Sequence, residues 1–151
     1  MIETQQGTRA DPQLSAMAGE FLVAGKLFKR GLQVSVTMGN AKSIDLFAHN
    51  PQTGRTFTVQ VKTVRDKNCY PMTRESIRGS DILVFVILNG VNQDEEFFIL
   101  LGKTVLNDID HFFGSSYRGA RSVSMPGVNY GPLKEFKDNW ALFETTADRV
   151  D

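Results

Sequence analysis

Seven consecutive apolar residues, Ile82-Leu83-Val84-Phe85-Val86-Ile87-Leu88, stand between Asp81 and the turn dipeptide Asn89-Gly90. A run this short falls well below the ~20 residues of a membrane-spanning helix and has the length of a strand covered on both faces. Any fold of this chain therefore needs apolar layers on both sides of one central strand. With 151 residues there is room for a single domain that buries roughly 70% of the surface its unfolded chain exposes. The polar first ten residues, Met1 to Ala10, read as a loose arm without a signal-peptide core, and residues 11 to 151 as one domain. No membrane partner is expected, and the default location is cytoplasmic. Cys69 is the only cysteine, so neither an internal disulfide nor a CxxC-type zinc site is available.

The first layer is a helix. Asp11-Pro12 supplies a capping side chain and a proline at the first helical position. Leu14, Met17, Ala18, Phe21, Leu22, Gly25 and Phe28 recur at helical spacing and predict its buried face, with Gly31 as the stop.

At Leu32 the period changes to two. Leu32, Val34 and Val36 alternate with Gln33 and Ser35, and Met38-Gly39-Asn40 reads as a turn. A second strand is expected over Ser43 to His49 and a third from Arg55 to Thr63. The segment Asn50-Pro51-Gln52-Thr53-Gly54 has the residues of a tight connection. If Asn50 and Arg55 close a four-residue loop, paired positions sum to 105, and Asp45 lies opposite Gln60 with Lys62 two residues on along the same face. Beyond the third strand, Val64 to Ser80 is irregular, with a short helix expected near Thr73 to Arg78. Phe97 to Leu101 should pair with the central strand. Thr104 to Phe113 reads as a helix, Gly114 to Pro132 as a long loop, and Lys134 to Phe143 as a cover carrying Phe136, Trp140 and Phe143.

This order of elements, with Glu20 on the helix, Asp45 on the hairpin and Gln60-Val61-Lys62 on its second arm, resembles the PD-(D/E)XK nuclease superfamily. The resemblance covers roughly Leu14 to Leu88. It implies an α/β, restriction endonuclease-like αβββαβ core, a mixed central sheet flanked by helices. It also implies a metal-dependent endonuclease that hydrolyses phosphodiester bonds in DNA. Glu20, Asp45, the side-chain oxygen of Gln60 and the backbone carbonyl of Val61 would hold Mg²⁺, with Mn²⁺ as substitute. Lys62 would orient the attacking water and offset phosphate charge. Two departures stand out: Ile44 precedes Asp45 in place of proline, and Gln60 replaces the acid of the triplet, which keeps an oxygen ligand but removes a negative charge. That amide, with a net charge of zero, also fits the alternative of a catalytically weak or inactive module binding nucleic acid or a protein partner. A solvated sheet face with a cross-strand ion pair worth ~0.2–1 kcal/mol is the plainer reading of the same residues.

Charge is unevenly spread along the chain. Arg55 to Arg78 holds six cations against two anions, and Asp81 to Asp110 holds six anions against one cation. Such a split suits a protein with one face toward a polyanion. Arg65, Lys67, Arg74 and Arg78 follow Lys62 closely enough to line a phosphate track. A homodimer or higher homo-oligomer is expected, because one small domain offers limited contact to a duplex. His49 and His111 lack metal-ligand spacing and read as surface or turn residues, and Trp140 reads as core. Ser43 and Thr63 flank the site, as supporting donors or as plain strand residues.

Overall fold

The computed structural model describes residues 11–38, 43–114 and 126–146. The expected arm at 1–10 and residues 115–125 of the expected loop lie outside them.

Helix α1, Pro12–Lys29, begins as the sequence suggests, with the Asp11 side chain accepting from the Gln13 backbone N–H and Pro12 at the first position. Three strands follow as an antiparallel meander: β1, Gln33–Val36; β2, Leu46–Asn50; and β3, Arg55–Val64. Asn50 pairs with Arg55 and Leu46 with Val59, so the register is the one the four-residue loop dictates. Gly54 closes that loop at φ 72°, with its N–H donating to the Asn50 carbonyl at 2.9 Å.

A short strand, β4 (Cys69–Pro71), and a single 3-10 turn at Arg74–Ser76 form the crossover to β5, Ile82–Ile87, which lies parallel to β3. The crossover thus carries one 3-10 turn where the expected core has its second α-helix. Strand β6, Glu96–Leu101, pairs antiparallel with β5 and completes a five-stranded mixed sheet of order β1-β2-β3-β5-β6. The segment expected as one helix from Thr104 to Phe113 is two short ones, α2 (Gly102–Leu106) and α3 (Ile109–Phe113). Strand β7, Gly127–Asn129, pairs with β4.

All six residues of β5 are buried, as the apolar run requires. Ile82, Val84 and Val86 face one core, with α1 and with Trp140 and Phe143 of the C-terminal turns. Leu83, Phe85 and Ile87 face a second core with Tyr70, Met72, Val105, Phe112 and Val128. Phe136 packs at the edge of this second core. Asn50 Nδ2 donates to the Phe143 carbonyl at 2.9 Å, which ties the C-terminal cover to the hairpin. The result is an α/β fold with a mixed sheet flanked by helices. No helix among the described residues is long and apolar enough to cross a membrane.

One expectation is overturned. The face that α1 buries is Ser15, Gly19, Val23, Ala24 and Leu27, whereas Leu14, Phe21 and Phe28 are exposed. The helix is apolar almost all round, and its packing is decided by shape. A Cβ at Gly19 would sit 1.8 Å from Thr63 Oγ1, so only glycine lets α1 approach β3 this closely.

Candidate metal centre at the open edge of the third strand

Strand β2 begins at Leu46, one residue after Asp45, and opposite Leu46 the longer β3 runs on from Val59 to Val64. Beyond this point the β2-facing edge of β3 has no strand partner among the described residues. Asp45 sits where the pairing ends. Its N–H donates to the Val59 carbonyl at 2.9 Å, and its own carbonyl accepts from Thr37 at 3.0 Å. Its side chain turns along the vacated edge, where Oδ2 accepts from the Val61 N–H at 2.7 Å. A residue's N–H and C=O point to the same side of a strand, so the Val61 carbonyl opens to this edge too.

Glu20 reaches the same place from α1. Its carboxyl shares a hydrogen bond with Asp45 and has its pKa pushed up from 4.5 to about 7. Burial is the largest cause, then the charge of Asp45 and the hydrogen bond to it, while the Lys62 ammonium pulls the other way. Two carboxyl groups and a lysine therefore meet at the end of the β2–β3 pairing.

Gln60 is more deeply engaged than the sequence shows. Its side chain is buried, and Nε2 donates to Asp81 Oδ2 at 2.7 Å and to the Ser76 carbonyl at 2.9 Å. Both neighbours are pure acceptors, so the amide nitrogen must face them and Oε1 is the only polar side-chain atom left for another partner. Asp81 is fully buried and also accepts from Thr58 Oγ1 at 2.6 Å and from Arg78 Nε at 3.1 Å. A carboxylate at position 60 would face this carboxylate. The amide is what the site's own packing asks for.

Asp81 is the residue that sequence reasoning passed over. It reads locally as the polar start of an apolar strand, and its partners lie 3, 21 and 23 residues away. The one available hint was an acid directly adjoining a strand that must be buried on both faces.

The cations expected to line a phosphate track are largely engaged by the protein itself. Arg65 Nε donates to Ser15 Oγ at 3.0 Å, Lys67 pairs with Glu96 at 3.5 Å, and Arg78 pairs with Asp81. Arg74 lies exposed on the 3-10 turn. The basic and acidic segments are thus stitched together by Arg78–Asp81 and Lys67–Glu96 rather than presented as two separate regions. His49 Nδ1 lies 2.8 Å from Thr56 Oγ1 across the hairpin, His111 packs edge-on to Phe112, and Trp140 is core, all as expected of bystanders. Ser43 is an exposed turn residue at φ 60°. The buried Thr63 hydroxyl has no hydrogen-bond partner among the described residues and meets α1 at Gly19.

No family model matches the chain. No curated protein matches it either. Among solved structures it is similar to a bacterial homing endonuclease, I-Ssp6803I, at 19% identity and a TM-score of 0.48, over 65% of this chain and 70% of that one. An overlap this slight carries no chemistry across, and the centre stands on its own geometry.

That geometry suits a hard divalent cation. Burial first, and then the neighbouring Asp45 carboxylate, raise the Glu20 pKa to about 7, and a cation beside the two carboxyl groups would relieve both effects. Mg²⁺ asks for oxygen ligands from one or two carboxylates and keeps several waters. Among the described residues there is no group of three or more His, Cys, Asp or Glu able to hold a metal. Neutral oxygens, Gln60 Oε1 and the Val61 carbonyl, would have to complete the set.

Proposed function

We propose that this chain is a metal-dependent endonuclease acting on phosphodiester bonds in DNA, a PD-(D/E)XK-type enzyme whose triplet reads Gln60-Val61-Lys62. The observation that carries the reading is the Glu20–Asp45 carboxyl pair beside Lys62 at the unpaired edge of β3. Glu20, Asp45, Gln60 Oε1 and the Val61 carbonyl would hold Mg²⁺, or Mn²⁺ in its place. Bound there, the cation supplies positive charge to a phosphate oxygen and to the attacking water.

The remaining roles belong to the chain's own groups. Asp45 is fixed by backbone bonds on both sides, so its carboxylate keeps its direction without substrate. Lys62 carries a positive charge to the carboxyl pair, where it offsets charge on the scissile phosphate and holds a water in line. Glu20, titrating at about 7, can accept or release a proton near neutral pH. Arg74 would contact a flanking phosphate. Arg65, Lys67 and Arg78 add to the track through N–H groups not used in their internal pairs. A duplex has two strands to cut, so assembly as a homodimer or higher homo-oligomer belongs to the proposal.

The test is nicking and linearisation of supercoiled plasmid with Mg²⁺ or Mn²⁺, beside Lys62→Ala and Asp45→Asn. Cleavage that needs the metal and is lost in both variants supports the reading. Absence of cleavage on plasmid, branched and single-stranded DNA, together with no Mn²⁺ bound, overturns it. A second reading rests on one observation. The Gln60 amide is committed to Asp81, and only two carboxylates remain at the centre. This favours a weak or inactive nuclease-fold module that binds nucleic acid or a protein partner, for which DNA binding without cleavage is the expected result.

A further inference from the structure

The outer face of α1 is apolar along its whole length. Taking 3.6 residues per turn, Leu14, Met17, Ala18, Phe21, Gly25 and Phe28 all fall within about 60° of the Phe21 direction, and no polar residue shares that arc. Leu14 is 66% exposed, Phe21 53% and Phe28 56%. A continuous exposed apolar stripe on a helix marks a contact surface. The protein's own described elements pack against the other side and cover only Ala24 at the margin of this arc. Among the described residues no segment covers Leu14, Phe21 or Phe28.

We infer that the stripe is the interface with a second copy of this chain, two α1 helices packed antiparallel about a two-fold axis passing beside Phe21. Three observations select this occupant. The stripe is self-complementary about Phe21. In an antiparallel pair, Phe21 meets Phe21, Leu14 lies opposite Phe28 of the second copy, and bulky Met17 lies opposite Gly25. The flanks match in charge. Asp11 and Lys29 both lie about 80° to the same side of Phe21, at opposite ends of the helix. The two-fold therefore sets Asp11 of one copy beside Lys29 of the other, twice over. Both side chains are exposed, and Asp11 caps α1 through Oδ1, which leaves Oδ2 to reach across. Antiparallel helices also place each positive N-terminus beside a negative C-terminus.

The two-fold has a geometric consequence. Glu20 lies about 100° from Phe21 on the opposite flank from Asp11 and Lys29. The Glu20 flanks of both helices thus face the same side of the pair, so two candidate centres would open toward one partner surface. The interface itself does not depend on what those centres do. One helix seam is small beside the ~1,200–2,000 Å² of a stable interface, so the dimer should dissociate on dilution.

Sedimentation velocity over a wide concentration range tests this on the full chain. A monomer–dimer equilibrium is expected for the natural sequence. Phe21→Glu sets two like charges at the axis and should weaken association by roughly 30-fold or more, as loss of a central aromatic anchor does. Because Phe21 is exposed in the protomer, circular dichroism should stay unchanged, and so should Tm at concentrations low enough that both proteins are monomeric. Orientation is read by oxidation in a Cys69→Ser background. Phe21→Cys should cross-link to itself, and Leu14→Cys should cross-link to Phe28→Cys in a mixture but not to itself. A monomer at every concentration overturns the inference, as does a dimer indifferent to Phe21→Glu or one in which Leu14→Cys joins Leu14→Cys. None of these readouts involves DNA or metal, so failure here is separable from failure of the nuclease reading.

Discussion

Replacing Gln60 by glutamate would restore the acid that such a triplet ordinarily carries, and the structure predicts that the protein resists it. Gln60 Nε2 gives one hydrogen bond to the buried Asp81 carboxylate at 2.7 Å and one to the Ser76 carbonyl at 2.9 Å. Gln60→Glu removes both donors and sets a second carboxylate against Asp81, where both residues are no more than 2% exposed. Leaving a buried charge uncompensated costs about 3–5 kcal/mol. At about 2–4 °C per kcal/mol for a chain of this size, Tm should fall by roughly 6–20 °C at pH 8. The penalty should depend on pH. The introduced carboxyl can take up a proton and donate to Asp81, so its folded-state pKa is raised. The loss is then small near its unfolded pKa and deepens with rising pH by at most about 1.4 kcal/mol per pH unit. Adding Asp81→Asn supplies a donor to the new carboxylate, so the double variant should be more stable than the sum of the two single effects by about 2 kcal/mol. The assay is urea and thermal unfolding of all four proteins from pH 5 to 8. If Gln60→Glu melts with the natural protein at pH 8, or the two substitutions add, Asp81 does not dictate the amide at position 60.

Four further outcomes follow from other contacts in the fold. Glu20 has a folded pKa of about 7 against 4.5 unfolded, so its contribution to stability is greatest below the lower value, falls as pH rises between them, and is flat above. Glu20→Gln should flatten the stability–pH curve across that window, measured by denaturant unfolding. Cation binding at Glu20 competes with that proton, so Mn²⁺ affinity by calorimetry should rise through pH 7 and lose this dependence in the same variant. Gly19→Ala drives a methyl onto Thr63 Oγ1 and should cost about 1–3 kcal/mol, recovered in part by Thr63→Ala, as thermal melts of the pair would show. Asn50→Ala removes the bond to the Phe143 carbonyl and the Oδ1 acceptor for the Gln52 N–H, and should cost about 1–3 kcal/mol with early proteolysis after Phe143.

Much of the frame was legible because its causes are local. A proline after a capping aspartate starts α1, a Pro/Gly loop of four residues fixes the β2–β3 register, and an unbroken apolar run can only be a covered strand. The pairing from Asn50–Arg55 to Leu46–Val59 follows from that register alone, and it stops one residue short of the expected Asp45–Gln60 pair. What it could not give was how each side chain is used there. Asp45 extends past the end of β2 to bond Val61, and Gln60 turns its nitrogen to an aspartate across the sheet.

The face of α1 shows the division most clearly. Periodicity selected Leu14, Phe21 and Phe28 as the buried stripe, yet the sheet takes Gly19, Val23 and Leu27. Hydropathy along a helix that is apolar on two sides cannot choose between them. Only the close approach of Gly19 to Thr63, a contact between residues 44 positions apart, breaks the tie. The sequence by itself determined α1, the β2–β3 hairpin with its register, the covered strand β5 and the residue types at the centre, since these depend on neighbours within a turn or a loop. Tertiary structure alone decided which helix face packs, that Asp81 holds Gln60, and that Glu20 of α1 meets Asp45, because these depend on distances the chain sets only when folded.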